Sequence, residues 1–474
     1  MRYLQRERTI VETLLPGLDG LLAASSLTEL EAAGGPGVKL FTEAGGPGLL
    51  VPSEHGGKGA DLLTAVRVQR ALGSRSPSLA VATTMHHFSV ASLVEAAATS
   101  SGLEWMLLAA IAKDNLLLAS GFAEGRTGQG ILNPALTART DGDKVFLSGS
   151  KKPCSLARSM NLLTASLPLP GPDGTEQLAI ALIPADSPGV SVKPFWGSPI
   201  LAGAESDEVV LDDVEVPPEL LVRTDVTADG RLDQLQTVGF VWFETLMTAS
   251  YLGAVSALVE RILLNQRVDP AVQADAVAAV EAAVLALEGL AADTASGISQ
   301  DTLARSLMCR YAAQDTIGRV LSVTLEALGG MAFIGSPDVA YLNSACRALA
   351  FHPPPAPVWP PRWLSTSPAT HTCASPDPTT GPIPNPSLRS HVSSRPLPGR
   401  TSPCHEALAP ADGASPRPSL PCTSVELLRE VLDRAPWSHS SAHRCVRCRG
   451  QRPAAPAVRL PCHRPDPPHP CARR

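Results

Sequence analysis

Two neighbouring stretches, Gly121-Phe-Ala-Glu-Gly-Arg-Thr-Gly-Gln-Gly130 and Thr137-Ala-Arg-Thr-Asp-Gly-Asp-Lys-Val-Phe-Leu-Ser-Gly-Ser-Lys-Lys152, decide the fold of this chain. The first is a glycine-rich turn. The second alternates apolar residues at Val145 and Leu147 before a Ser-Gly turn and a basic pair. This pattern predicts a strand, a tight turn and a second strand, with accessible backbone N–H groups at both ends. Alone it is a weak indication of a phosphate cradle, so the flanking segments decide its meaning.

The hydrophobic period changes twice along the chain and predicts three domains. Residues 1–115 are rich in helix formers with helical apolar spacing, as in 62–72, and predict an N-terminal helical domain. Residues 116–222 contain short β-branched runs divided by Pro, Gly and Asp, and predict a small middle β-barrel domain. Residues 223–352 return to helical spacing and predict an antiparallel four-helix bundle. The predicted bundle helices are 235–265, 271–294, 301–328 and 337–351. The fold class is therefore α+β.

Composition breaks sharply after residue 352. Residues 353–474 hold 27 of the 45 prolines and 7 of the 10 cysteines, with 15 arginines and no lysine. Their net charge is +8, which leaves −14 for residues 1–352. A segment dominated by Pro and Arg has too little apolar content to form a packed core. The sequence therefore predicts a disordered low-complexity tail, with one short helix at Thr423–Arg434. Two explanations stay open: a frameshift near codon 353 in a GC-rich gene, or a genuine Pro-rich linker.

The predicted order of helices, β domain and bundle resembles the acyl-CoA dehydrogenase family over about residues 10–352. Six segments carry the resemblance in the family's order, each matching one of its turns, strand ends or helix segments. They are Gly48–Gly57, Ser78–Ala80, Phe122–Glu124, Gly149–Ser155, Leu211–Pro217 and Glu326–Gly330 with Phe333. Several of these also have plain structural readings, because Val216-Pro217 ends a strand and Gly329-Gly330 suits a helix C-cap.

The resemblance implies a flavoprotein oxidoreductase with FAD between the β domain and the bundle. It places the flavin against the strand ends Phe122, Ala123, Glu124 and Ser155. It further implies contacts from Arg267, and from Glu326, Gly329 and Gly330 to a neighbouring subunit's FAD. Pro270 follows Arg267 where the family has an R-x-x-F-G clamp, which predicts a reshaped cofactor site. A homodimer or homotetramer is the implied assembly, and an electron-transfer partner or oxygen is the implied electron acceptor.

The family's usual reaction is αβ-desaturation of an acyl thioester carried on CoA or an acyl-carrier protein. A glutamate removes the α-proton in that reaction, and an enclosed apolar pocket raises its proton affinity. Aligning Arg347 and Phe351 with the family's Y-E-G-T segment puts Pro353 at the glutamate, so the usual base is absent. Glu244 on the first bundle helix is the candidate replacement, one residue out of register with a minority of the family. It also fits an exposed first-turn acid.

A second function stays open because of these departures. Flavin-dependent monooxygenases of the same fold lack the glutamate, use reduced flavin and oxygen, and end the bundle with a histidine. Phe351-His-Pro-Pro354 resembles that ending, which makes His352 a candidate catalytic residue. His86 and His87 lie where some of these enzymes carry another histidine, although a buried turn and a helix-terminal cation explain these residues as well. A catalytically inactive paralogue is the third alternative.

Other features of the sequence bear on the cellular location and the binding partners of the protein. The N-terminus is charged and lacks an apolar signal core, and the longest uncharged apolar run, Thr245–Val259, is short for a membrane span. These features predict a cytoplasmic protein without a membrane partner; a nucleic-acid partner is not expected either, because the Arg-rich tail lacks aromatic interleaving. Three body cysteines fit a reducing compartment. The zinc-like spacing of Cys445 and Cys448 falls in the Cys/His-rich tail, so no metal is expected.

Overall fold

A computed structural model describes residues 2–99, 103–125, 134–142, 144–170, 176–224 and 232–354. The predictions of a disordered tail, its short helix and the frameshift concern residues that lie outside these ranges, apart from Pro353 and Pro354. The described chain is mixed α and β and rich in helix, as the sequence predicts.

Seven α-helices lie in the described N-terminal residues, 2–99 and 103–125. They are α1 (Gln5–Leu14), α2 (Leu18–Ala24), α3 (Leu27–Glu31), α4 (Gly37–Glu43), α5 (Leu62–Arg75), α6 (Pro77–Thr99) and α7 (Leu103–Asp114). The start of α5 is fixed by Asp61, whose carboxylate accepts a hydrogen bond from the Thr64 N–H at 2.8 Å. The start of α6 is fixed by Pro77 at its first position and by buried Glu31, which accepts from the Ser78 N–H at 3.1 Å.

The middle segment forms two four-stranded sheets. The strands are β1 (Leu118–Gly121), β2 (Thr137–Asp141), β3 (Lys144–Cys154), β4 (Leu162–Pro170), β5 (Glu176–Pro184), β6 (Val190–Lys193), β7 (Asp207–Val216) and β8 (Leu221–Arg223). One sheet has the order β1-β4-β5-β8 and the other the order β2-β3-β7-β6. The predicted barrel is wrong for the described residues: an isolated bridge between Glu124 and Lys152 is the one pairing between the two sheets there, and a barrel needs paired strands to close.

Four α-helices form the described C-terminal residues, 232–354. They are α8 (Gln234–Leu264), α9 (Pro270–Asp293), α10 (Gln300–Gly335) and α11 (Pro337–Cys346). Helix α8 is the central element and packs against α5, α6, α9, α10 and α11. Gly73 and Gly253 let α5 and α8 approach closely, because a Cβ on Gly73 would lie 2.1 Å from the Ser250 carbonyl oxygen. These bounds lie close to the predicted helices; the boundaries between the three predicted domains stay a prediction.

Among the described residues, two helices are long and apolar enough to cross a membrane by length and composition. In α8 the apolar window is 83% buried inside the fold, which identifies a core helix. In α10 the corresponding window is 22% buried, and one face packs on α8 and α9. One or two helices that pass a test of length and composition are weak evidence for a membrane span, so neither helix is assigned to a membrane.

Candidate active site

A cavity of about 380 Å³ lies where α6, the β domain, the start of α8 and the end of the bundle meet. Aromatic and aliphatic side chains form most of its wall, together with a few hydroxyl, amide and imidazole groups. The lining residues are Val81, Met85, Phe88, Ser92, Ser120, Phe122, Ala123, Pro153, Ser155, Leu178, Ile180, Trp196, Leu201, Ser206, Leu235, Gln236, Gly239, Phe240, Phe243, Ala348, Phe351, His352 and Pro353. No Asp, Glu, Lys or Arg is among these residues.

The β-domain wall brings together three of the predicted cofactor residues. Phe122 and Ala123 directly follow strand β1, and the Ala123 carbonyl accepts from the Lys152 N–H at 2.8 Å. Ser155 follows β3, and its hydroxyl lies 3.0 Å from that of Ser206, with both side chains buried. The wall therefore offers a pair of hydroxyls beside an apolar strand end.

Glu124, also predicted to bind the cofactor, faces a different neighbour. Its carboxylate accepts from the Lys151 ammonium at 2.6 Å and from the Ala135 N–H at 2.8 Å. Burial lowers the pKa of Lys151, while the charge of Glu124 opposes that shift. Glu124 lines a second, more polar cavity of about 280 Å³ with Gly125, Ala135, Leu136, Gly149, Ser150 and Lys152. Its role in cofactor binding stays a prediction.

The first turn of α8 carries an amide to the cavity. The Asp233 carboxylate caps the helix by accepting from the Gln236 N–H at 2.7 Å, which fixes where the Gln236 side chain begins. The Gln236 side-chain N–H group donates to the Thr224 hydroxyl at 2.9 Å. Gln236 is 8% exposed and its carbonyl oxygen is buried without a hydrogen-bond partner among the described residues.

His352 lies at the end of the described chain and lines the cavity. Its Nε2 shares a hydrogen bond with the Tyr251 hydroxyl at 3.0 Å, and its ring packs edge-on against Phe243. Burial, together with the nearby positive charge of Arg310, lowers the pKa of His352 to about 3. The imidazole is therefore neutral at neutral pH, and its interaction with Tyr251 is a hydrogen bond between neutral groups.

Arg310 and Glu244 form a buried ion pair behind His352. Arg310 Nη1 lies 2.7 Å from Glu244 Oε2, and both side chains are fully buried. The guanidinium also donates to the carbonyls of Leu349 at 3.1 Å, His352 at 2.5 Å and Pro353 at 2.9 Å. The pair therefore holds the segment that carries the imidazole.

Glu244 itself is absent from the cavity lining. Burial raises its pKa to about 7, while Arg310 opposes that shift. A proton affinity in this range would suit a general base. The geometry instead directs one carboxylate oxygen to Arg310, and the other oxygen has no partner among the described residues. Its catalytic role stays a prediction.

His86 and His87 are both fully buried on α6. His86 Nδ1 accepts from the Leu118 N–H at 3.1 Å, so Nε2 carries the proton that is donated to the Pro47 carbonyl at 3.0 Å. Burial lowers the pKa of His86 to about 4, and it lowers that of His87 well below the usual value. Neither residue lines the cavity; His86 joins β1 to the turn at Pro47.

The remaining predicted cofactor residues lie away from the cavity. Arg267 is exposed in the α8–α9 connection, and Glu326 and Gly330 are exposed on α10. Gly329 breaks the helical backbone there with φ 77° and ψ 166°. The contacts predicted for these three α10 residues involve a neighbouring subunit, so they stay predictions.

Sequence reasoning missed Gln236, Tyr251 and Arg310. Asp233 followed three residues later by Gln236 is a recognisable helix-start signal, and it could have placed the amide at the domain junction. Arg310 had no such signal, because its partners are 66 residues before it and about 40 residues after it.

Comparison with known proteins places the chain in a family. It is 49% identical over 358 residues to isobutylamine N-hydroxylase of Streptomyces viridifaciens, covering 75% of this chain and 95% of the relative. It is also 28% identical over 148 residues to the acyl-CoA dehydrogenase IpdE1 of Mycobacterium tuberculosis, covering 31% of this chain and 34% of that protein. No family model matches the sequence.

Solved structures agree on the fold. The nitrososynthase of Micromonospora carbonacea var. africana superposes with a TM-score of 0.64 at 21% identity, covering 75% of this chain and 96% of that one. FMN-bound TdsC of Paenibacillus sp. A11-2 superposes with a TM-score of 0.60 at 18% identity, covering 75% and 94%. The chain belongs to the acyl-CoA dehydrogenase-fold flavoenzymes, which confirms the family resemblance. Within that fold, its extensive match is to an N-hydroxylase.

Proposed function

We propose that the protein is a flavin-dependent monooxygenase that hydroxylates the nitrogen of a small apolar amine. The observation that carries the proposal is the 49% identity to isobutylamine N-hydroxylase over 95% of that protein. The cavity supports it independently, because its lining is largely apolar and contains a neutral imidazole. A flavin-dependent monooxygenase was the alternative, not the main prediction, from sequence, and the sequence did not predict an amine substrate.

The residues present fit a flavin. The cavity volume of about 380 Å³ falls within the range of roughly 300–1,000 Å³ that small-molecule sites occupy. Phe122 and Ala123 would hold an apolar ring, while the Ser155 and Ser206 hydroxyls would hydrogen-bond a polar ring edge. A reduced flavin bound there would supply two electrons and activate oxygen. FAD is the predicted flavin.

The reaction balances with one oxygen molecule. A nitrogen–oxygen bond forms on the amine, the second oxygen atom leaves as water, and two electrons and two protons are consumed. Phe88, Phe240 and Phe243 line the cavity with apolar rings, which would disfavour water beside the reacting atoms. The neutral imidazole of His352 would orient a reacting group by hydrogen bonding, and Tyr251 holds Nε2 in place.

Acyl-thioester desaturation has weaker support. It needs a carboxylate that reaches the substrate α-carbon, and the described cavity lining contains no carboxylate. The candidate base, Glu244, is engaged with Arg310. The match to the acyl-CoA dehydrogenase covers only 31% of this chain. We further propose a cytoplasmic homo-oligomer, on composition and family resemblance alone.

The two reactions separate in one experiment. The purified full chain is loaded with reduced flavin without oxygen and then mixed with aerated buffer containing isobutylamine. We expect N-isobutylhydroxylamine by mass spectrometry. In parallel, the protein with oxidised flavin is mixed anaerobically with acyl thioesters. Flavin bleaching in that arm, without hydroxylamine in the first, would overturn the proposal in favour of desaturation.

A further inference from the structure

The connection between β6 and β7 forms one wall of the cavity. It contributes Trp196, Leu201 and Ser206 to the lining. Leu201 has a left-handed backbone conformation, with φ 61° and ψ 24°, which is unfavourable for a residue that carries a side chain. Contacts from other parts of the fold are therefore needed to keep Leu201 in this position.

A tyrosine of α11 supplies one such contact. The Leu201 N–H donates to the Tyr341 hydroxyl at 2.8 Å. Because a backbone N–H can only donate, the hydroxyl accepts there and keeps its own proton for another acceptor. Tyr341 donates that proton to the carboxylate of Glu31, the last residue of α3. Tyr341 thus connects the cavity wall to a carboxylate.

Glu31 is a fixed anchor for this connection. It is 2% exposed, and it also accepts from the Ser76 and Ser78 hydroxyls, both at 2.5 Å, and from the Ser78 N–H at 3.1 Å. The two serines flank Pro77 at the start of α6, the helix that supplies a further wall of the cavity. One buried carboxylate therefore holds the start of α6 and, through Tyr341, the wall at Leu201.

Close packing adds a second constraint on the same wall. Gly203 lies in the short helical turn Ala202–Ala204, which packs against α3 and α6. A Cβ on Gly203 would lie 2.6 Å from the Leu30 carbonyl oxygen and 3.1 Å from Ser78 Cβ. Leu201 is thus held by its own N–H and by the packing of the turn that directly follows it.

We propose that Tyr341, anchored by Glu31, is a positioning residue that sets the place of Leu201 in the cavity wall and thereby limits the bulk of the amine that the site accepts. The inference rests on the proposed function for its class of ligand. Removing the Tyr341 hydroxyl leaves the Leu201 N–H without this acceptor, so the wall can move outward and a bulkier amine can fit. Tyr341 itself does not line the cavity, so it acts through Leu201.

The test compares the binding of two amines to the full chain with oxidised flavin, by calorimetry. Isobutylamine is compared with cyclohexylmethylamine, which keeps the CH–CH2–NH2 group, enlarges the branch and has a similar basicity. The parent should bind isobutylamine more tightly. Tyr341→Phe should reduce this preference about 10-fold, the equivalent of one buried hydrogen bond.

Tyr3→Phe is the matched control. The Tyr3 hydroxyl also bonds to buried partners, Ser256 at 3.4 Å and Arg70 at 3.2 Å, but Tyr3 does not line the cavity or contact the wall at Leu201 through these bonds. This variant should therefore keep the parent's preference between the two amines. A loss of preference as large as in Tyr341→Phe would assign the effect to general loosening of the fold and overturn the inference.

Leu201→Ala tests the wall without removing a hydrogen bond, because the backbone N–H stays, and it decides the question even if Tyr341→Phe does not fold. It should reduce the preference for isobutylamine by itself, and a preference equal to the parent's would overturn the inference. Adding Tyr341→Phe to Leu201→Ala should change little, because the residue that Tyr341 positions is already truncated. A further loss as large as in the single variant would show that Tyr341 does not act through Leu201.

The outcomes separate this inference from the proposed function. If the amine preference changes as expected but the parent forms no hydroxylamine, the function fails and the assignment of Tyr341 stands. If hydroxylamine forms and Tyr341→Phe keeps the parent's preference, the assignment fails alone. A loss of flavin affinity in Tyr341→Phe, with the amine preference unchanged, would also overturn it and assign the wall to the flavin.

Discussion

Replacing Arg310 with Met should affect both the stability and the activity of the protein. Arg310 is fully buried and donates to the Glu244 carboxylate and to three backbone carbonyls at Leu349, His352 and Pro353. Removing one partner of a buried ion pair costs about 3–5 kcal/mol, because the remaining charge is left uncompensated. We expect a loss of this size in the free energy of unfolding, measured by urea denaturation at pH 8.

The stability loss of Arg310→Met should depend on pH, because the pKa of Glu244 decides whether its carboxyl group is charged. Burial raises the pKa of Glu244 to about 7, and it would be higher still without Arg310. At pH 6 the carboxyl group of the variant can therefore take up a proton and avoid the unpaired charge. The stability difference between the parent and Arg310→Met should be smaller at pH 6 than at pH 8.

A double variant separates charge from positioning. Arg310→Met combined with Glu244→Leu removes both buried charges and should recover part of the stability. Three carbonyls still lack their donor, so the segment carrying His352 should stay displaced and turnover should stay low while flavin affinity is largely kept. The reasoning is refuted if Arg310→Met unfolds within about 1 kcal/mol of the parent and turns over at the parent rate.

Three further predictions concern titratable residues. Glu244→Gln should keep turnover within a few-fold, since an amide oxygen can still accept from Arg310; loss by orders of magnitude would instead support a base role. His352→Ala should lower hydroxylation turnover while flavin binding, followed by fluorescence, is retained; unchanged turnover would exclude this imidazole from the reaction. The pKa of His86 is lowered from 6.5 to about 4, so its neutral form stabilises the fold above pH 6.5, and this contribution, roughly 3 kcal/mol, is lost as the pH falls towards 4. Urea midpoints should decrease over that range, and a flat profile would contradict it.

Local patterns predicted the helices well. Apolar spacing at 62–72 corresponds to α5, and the four bundle segments lie close to α8–α11. These elements were predictable because helical periodicity is a pattern among residues that are close together in the sequence. The barrel prediction was wrong because strand alternation does not encode which edge strands pair. Register and sheet order depend on contacts between residues far apart in sequence.

The site was predictable only in part. Phe122, Ala123, Ser155 and His352 line one cavity as a set, and family resemblance had singled out each of them. Glu244 looked like an available carboxylate because the sequence does not show that Arg310 is its partner. Whether a buried polar group is already paired depends on which residues from distant parts of the sequence lie beside it. A single sequence does not show these neighbours.

The central claim, oxygen transfer to an amine nitrogen, is tested most directly with isotopically labelled oxygen gas. The full chain with reduced flavin is supplied with isobutylamine under the labelled gas, and the hydroxylamine product is weighed by mass spectrometry. The account predicts one labelled oxygen atom in the product. A product whose oxygen comes from water, or no product beside ready anaerobic oxidation of an acyl thioester, would contradict it.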